Sequence, residues 1–216
     1  MSKCQPFSIM RLTHEAIRAG LNDLEKQANH LSSASVPQFK KTFNEVKRII
    51  ELHAHQEDNA FYPPLEKKRP NLTHAFSEEH EAEHQAFDQL THQIEALSDN
   101  TPDLSAIQTS MLAWIAQRRD HLVHEEDVLM KVLPKAFNYV ESVAVVRSIL
   151  EYDLDEFEHF HLGWVFARLK GPQRKMYLGM LKGCSPQGKF PDFVTKVRPY
   201  LLADEVREYE QEELLA

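Results

Sequence analysis

Along the first two-thirds of the chain, apolar residues return at alternating intervals of four and three, the mark of a helix with one buried seam. Met10, His14, Ile17, Leu21, Leu24, Ala28 and Leu31 form the first seam. Ser35 with Pro37 reads as a cap and an early proline; Phe39, Phe43, Val46, Ile50, His53, Glu57 and Ala60 then repeat the spacing until Tyr62-Pro63-Pro64 stops it. A third helix, from about Asn71 to Leu97, carries Phe76, His80, Glu83, Phe87, Leu90, Ile94 and Leu97 on one side, with His84 flanking that face. The turn at Ser98 to Pro102 opens a fourth, in which Leu104, Ile107, Met111, Trp114, Arg118, His121, Glu125 and Val128 keep the period up to Leu133-Pro134. Arg118 is out of character in that apolar row.

Helices of roughly 25 to 30 residues with short connections must turn back on one another, which predicts an all-α, up-down-up-down four-helix bundle over residues 1–137. Residues 138–216 differ. A fifth helix is expected from about Val143 to Leu169, ended by Gly171-Pro172, followed by short helices broken at Pro186, Pro191 and Pro199 and a charged last helix from about Asp204. This helical extension is expected to pack on the bundle. Phe157, Phe160, Trp164 and Phe166 leave two readings open, core packing or a surface through which the chain forms a homo-oligomer.

Composition narrows the function. The chain of 216 residues is 42% hydrophobic and 27% charged, with only 6 Gly, as expected of a soluble helical domain. A net charge of −8 without a basic stripe argues against nucleic acid. No run of apolar residues is long enough for a membrane span or an export signal, so a cytoplasmic location is expected. Cys4 and Cys184 offer neither a disulfide framework nor a metal knuckle.

The unusual number is 12 His, and several of them stand in the seams. Side chains at i and i+4 share a helix face about one turn apart, close enough to grip one metal or two adjacent metals. The chain has three such pairs, His53/Glu57, His80/His84 and His121/Glu125, and His14 adds a seventh donor. In an antiparallel bundle all seven reach one level. A single histidine is more often an ordinary surface or core residue, but seven polar groups buried without partners would each cost about 1 to 3 kcal/mol. His30, His55, His74, His92 and His124 fall off the seams and are assigned to solvent. Two octahedral ions need about 12 donor positions; five imidazoles, two bridging carboxylates and a shared oxide or hydroxide leave one open. Mixed imidazole and carboxylate donors suit iron, and the open position suits O2 or NO.

The order His14, His53-x-x-x-Glu57, His80-x-x-x-His84, His121-x-x-x-Glu125 resembles the hemerythrin-like family of non-haem di-iron proteins over about residues 8 to 134. The resemblance implies two iron ions per chain, oxo- or hydroxo-bridged, with those seven residues as ligands. It implies a role in carrying or sensing O2 or NO, in handling iron, or in repairing iron-sulfur clusters; the cysteine-bearing domain that accompanies repair is lacking here. Glu126 is the alternative last carboxylate, but it lies about 140° around the helix from His121. No catalytic nucleophile or acid/base dyad is required, so no enzyme is predicted.

Two competing readings use the same residues. His80-Glu81-Ala82-Glu83-His84 fits H-E-x-x-H, the zinc metalloprotease signature, but leaves the other donors idle and has no strand to hold a peptide; Glu78, Glu79, Glu81 and Glu83 read as a solvated face. Glu81-x-x-His84 and Glu156-x-x-His159 fit the carboxylate pattern of a ferritin-like di-iron oxidase, which requires the fifth helix inside the metal layer.

Overall fold

The computed structural model describes residues 5–98, 103–153 and 158–216. Its regular structure is helical, with no strand among the described residues. Four elements carry the bundle: α1 (Ser8–Asn29), α2 (Val36–Gln56), α4 (His74–Glu95) and α5 (Ser105–Ala136), with the short α3 (Tyr62–Lys68) between the second and third. α1 packs against α2 and α5, and α4 against α5 and α2, which closes the bundle. The expected seams are its interior. Ile17, Leu21, Leu24, Phe39, Phe43, Val46, Phe76, Met111 and Leu129 are all buried, each worth about 1.5 to 3 kcal/mol of transfer free energy for a side chain of this size.

The second helix does not stop at Tyr62-Pro63-Pro64. It passes through a π-helical turn, Glu57–Phe61, and continues as α3. Two successive prolines lack N–H groups, but they fall in the first turn of α3, where donors are not needed. The wide turn before them resets the register. In an α-helix Glu57 and Tyr62 would point about 140° apart; a turn closed by i to i+5 hydrogen bonds brings the fifth residue back above the first. Both side chains therefore enter the bundle.

The expected fifth helix is divided into α6 (Tyr139–Glu151) and α7 (Phe160–Arg168). Asn138 caps α6 through its side chain on the Glu141 N–H, and Tyr152 leaves the helix with extended backbone. Glu158 and His159 both take left-handed backbone (φ 46° and 56°), which no helix accommodates. The remaining helices are α8 (Pro172–Cys184), α9 (Phe190–Val197) and α10 (Ala203–Gln211). Their core is continuous with that of the bundle. α7 lies close along α1, where a Cβ added at Gly20 would stand 2.9 Å from the Trp164 ring, so glycine is what allows this approach. Trp164 and Phe166 are buried and Phe160 half-buried, while Phe157 lies outside the described residues. No helix among the described residues is long and apolar enough to cross a membrane.

Candidate metal centre

Six of the seven expected donors meet at one level of the bundle. His14 comes from α1, His53 from α2, Glu57 from the π turn, His80 from α4, and His121 and Glu125 from α5; every one is buried. They form two overlapping groups, His14, His53, Glu57, Glu125 and Glu57, His80, His121, Glu125, each with its donor atoms within 4.8 Å of one another. The two carboxylates belong to both groups. Glu57 turns one oxygen to each, with Oε1 3.4 Å from His53 Nε2 and Oε2 3.5 Å from His80 Nε2. Glu125 instead turns one oxygen to both: Oε2 stands 3.5 Å from His14 Nε2 and 3.4 Å from His121 Nε2. Its other oxygen accepts a 2.6 Å hydrogen bond from the Tyr62 hydroxyl.

Outer carboxylates fix the imidazoles. Nδ1 of His14 is 2.9 Å from Glu126 Oε1, that of His80 3.1 Å from Asp58 Oδ2, and that of His121 2.8 Å from Glu79 Oε2. With Nδ1–H donating outward, each Nε2 keeps its lone pair facing inward, as a ligand must. Glu126 thus stands outside the two groups, holding His14 and accepting from Arg18 at 2.8 Å. Sequence reasoning missed Tyr62, Asp58 and Glu79. The double proline after Tyr62 was the one local signal of the wide turn; the other two act through non-local contacts.

The inward atoms satisfy the test for a cation. Nε2 of His14, His53, His80 and His121, both Glu57 oxygens and Glu125 Oε2 are buried without a hydrogen-bond partner. Groups left so would each cost about 1 to 3 kcal/mol, and all face the same space. Electrostatics agree. Burial, then the Arg118 charge and the neighbouring His80, holds the His121 imidazole down to about 2, and burial followed by His14 and Arg118 holds His53 well below its ordinary range. Both rings are therefore neutral ligands at neutral pH. Burial and the adjacent Glu125 push the Glu57 carboxyl well up, a penalty that a bound cation would relieve.

His84 is not brought to this cluster. It is exposed, and no donor group among the described residues contains both His80 and His84. The inward position one residue earlier belongs to Glu83, which is buried rather than solvated and forms an ion pair with the fully buried Arg118. That pairing explains the arginine in the apolar row. His159 belongs to a separate group with Asp153 and His161, and Glu156 lies outside the described residues. The five off-seam histidines are exposed, as expected; His124 in addition pairs with Glu79 at 3.0 Å.

Aromatic rings close the centre on both sides. Phe43, Phe87 and Trp114 stack below it, with Phe87 and Trp114 nearly parallel at 4.8 Å, while Phe7, Phe61, Tyr62 and Phe76 form a chain above. A cavity of about 260 Å³ between α2 and α4 reaches His80 past Ile50, Ala54, Phe87 and Trp114.

Four antiparallel helices that turn four imidazoles and two shared carboxylates into a buried interior define a metal-binding helical bundle. The donors come one or two from each helix, and no strand or loop contributes. The chain belongs to the hemerythrin family: residues 5–134 match the hemerythrin HHE cation binding domain. It is also 20% identical, over 89% of its length, to a BRUTUS-like zinc finger protein of Arabidopsis thaliana, of which it covers 17%. No solved structure matches it. Metal binding is therefore a property of this protein, and the buried histidines and carboxylates are residues that could hold the ion.

Proposed function

We propose that the cluster holds two iron ions per chain, with Glu57 and Glu125 bridging them, His14 and His53 on one ion and His80 and His121 on the other. The sharing of both carboxylates between two four-donor groups carries this reading. Four imidazoles and two bridging carboxylates supply 8 of the roughly 12 positions that two six-coordinate ions require. Such a pair, when bound, supplies reversible one-electron chemistry and open positions for a diatomic ligand.

The residues of the chain do the rest. Glu126, Asp58 and Glu79 hold the rings in the ligating tautomer, and burial of the donors strengthens each charge interaction inside. The cavity between α2 and α4 gives a small molecule a path to the His80 side. Reversible binding or sensing of O2 or NO is the function we assign. The test is optical: protein loaded with iron and reduced without air should develop charge-transfer absorption on adding O2 or NO and lose it on re-reduction. A spectrum indifferent to both gases would refute the gas-binding role.

A second reading follows from the orphaned donors. Because seven buried polar atoms lack partners among the described residues, iron binding stabilises the fold increasingly as free iron rises above its Kd, and the domain would report iron itself. Protease susceptibility that falls steeply with added iron and ignores O2 would favour this reading.

A further inference from the structure

A second convergence of donors lies where α6 gives way to α7. Asp153, His159 and His161 place one ligand atom each within 4.8 Å of the others. His159 Nδ1 is 3.4 Å from Asp153 Oδ2, and His161 Nδ1 is 3.9 Å from Asp153 Oδ1. Both separations are too long for a good hydrogen bond between ring and carboxylate, and Asp153 Oδ1, His159 Nδ1 and His161 Nδ1 are all buried without a partner.

The 3.4 Å separation is the spacing an ion produces, and the 3.9 Å one is wider by half an ångström. Ligands about 2.1 Å from a tetrahedral ion stand about 3.4 Å from one another, the same separation seen between the facing atoms of the central cluster. His161 is 9% exposed and aims its unpaired nitrogen at the carboxylate. The backbone is bent to make the convergence. Left-handed φ at Glu158 and His159 costs about 1 to 2 kcal/mol per residue, and it is held by the His159 N–H donating to Asp153 Oδ2 at 2.6 Å. Phe193 packs edge-on to the His159 ring at 5.1 Å and limits its rotation.

We propose that Asp153, His159 and His161 form a mononuclear site for a divalent cation of borderline softness, zinc or ferrous iron, independent of the central cluster. Two imidazoles and one carboxylate leave room for solvent to complete the shell, the donor set that both metals accept. His159 and Asp153 are partly exposed, so an ion enters from solvent. His161 also lines a narrow cavity shared with His53 and Glu57, so the site stands beside the central cluster without using its donors. When occupied it joins the end of α6 to the start of α7.

The full chain, stripped of metal and titrated with zinc, tests this. His159→Gln and Asp153→Asn should each bind one zinc fewer per chain than the parent. A Glu57→Gln/Glu125→Gln variant should lose the central metal yet keep one ion. Failure of the central reading would show in that last variant and not in the first two. Crystals of the unsubstituted protein soaked in zinc should give an anomalous peak between the three residues, which decides the matter should a variant fail to fold. No peak there overturns the proposal, whatever the counts.

Discussion

Replacing Arg118 with Met should destabilise the protein severely, because it leaves a buried carboxylate without its partner. Arg118 is 2% exposed and forms an ion pair with Glu83, itself 9% exposed. Removing one member of a buried pair typically costs about 3 to 5 kcal/mol. The cavity beside Glu83 lets water approach, which places the expectation near the lower end, about 3 kcal/mol. Against a total stability of about 5 to 15 kcal/mol this is a large share, and it should lower Tm by about 6 to 12 °C for a chain of this size. Glu83 is already pushed up, by burial first and against the pull of Arg118; without the guanidinium its carboxyl should be pushed up further. Urea unfolding of metal-free parent, Arg118→Met, and the double variant Glu83→Leu/Arg118→Met measures the effect. The double variant should regain most of the loss, since both charges leave together. A single variant within about 1 kcal/mol of the parent would refute the reasoning, as would a double variant no better than the single.

The remaining predictions concern the site, the packing of the extension and pH. His84→Ala should keep the full metal content by elemental analysis, whereas His80→Ala should lose metal; equal losses would return His84 to the cluster. Gly20→Ala should cost about 1 to 3 kcal/mol by overpacking, since its Cβ would meet Trp164 at 2.9 Å; thermal unfolding no different from the parent would show that α7 shifts freely on α1. Metal-free protein should lose stability as pH falls below about 6.5. His121 and His161 are held down to about 2 and about 3, chiefly by burial, so on unfolding each takes up a proton it refuses when folded. Each contributes about 1.4 kcal/mol per pH unit in that window. His53 acts in the same direction, while Glu57, raised in the folded state, acts in the opposite one. Unfolding free energies from urea titrations at pH 7 and pH 5 should differ by about 2 to 4 kcal/mol; stability unchanged or higher at pH 5 would contradict these environments.

The bundle was legible because its signal is periodic and local. Residues such as Leu21, Phe43, Phe76 and Met111 obey a spacing that any helix imposes, and i, i+4 pairs such as His53/Glu57 and His121/Glu125 inherit their common face from the same geometry. Features set by contacts from elsewhere in the chain were not legible. One residue, or 100° of helix, separates Glu83 from His84, and the choice between them as the inward side chain rests on Arg118 of α5. The fifth helix was expected to run unbroken because no glycine or proline interrupts residues 143–162. Its break is held instead by a side-chain contact between Asp153 and the His159 N–H. The π turn sits between these cases: Pro63 and Pro64 announce a disturbance, but not that the helix would widen and continue.

Sharing of Glu57 and Glu125 by two ions is tested most directly by counting iron in reconstituted protein and recording its Mössbauer spectrum in the oxidised state at low temperature. Close to two irons per chain are expected in a spin-coupled, diamagnetic pair, with both the second iron and the coupling lost in Glu57→Gln. One iron per chain with the magnetic splitting of an isolated ferric ion would contradict it.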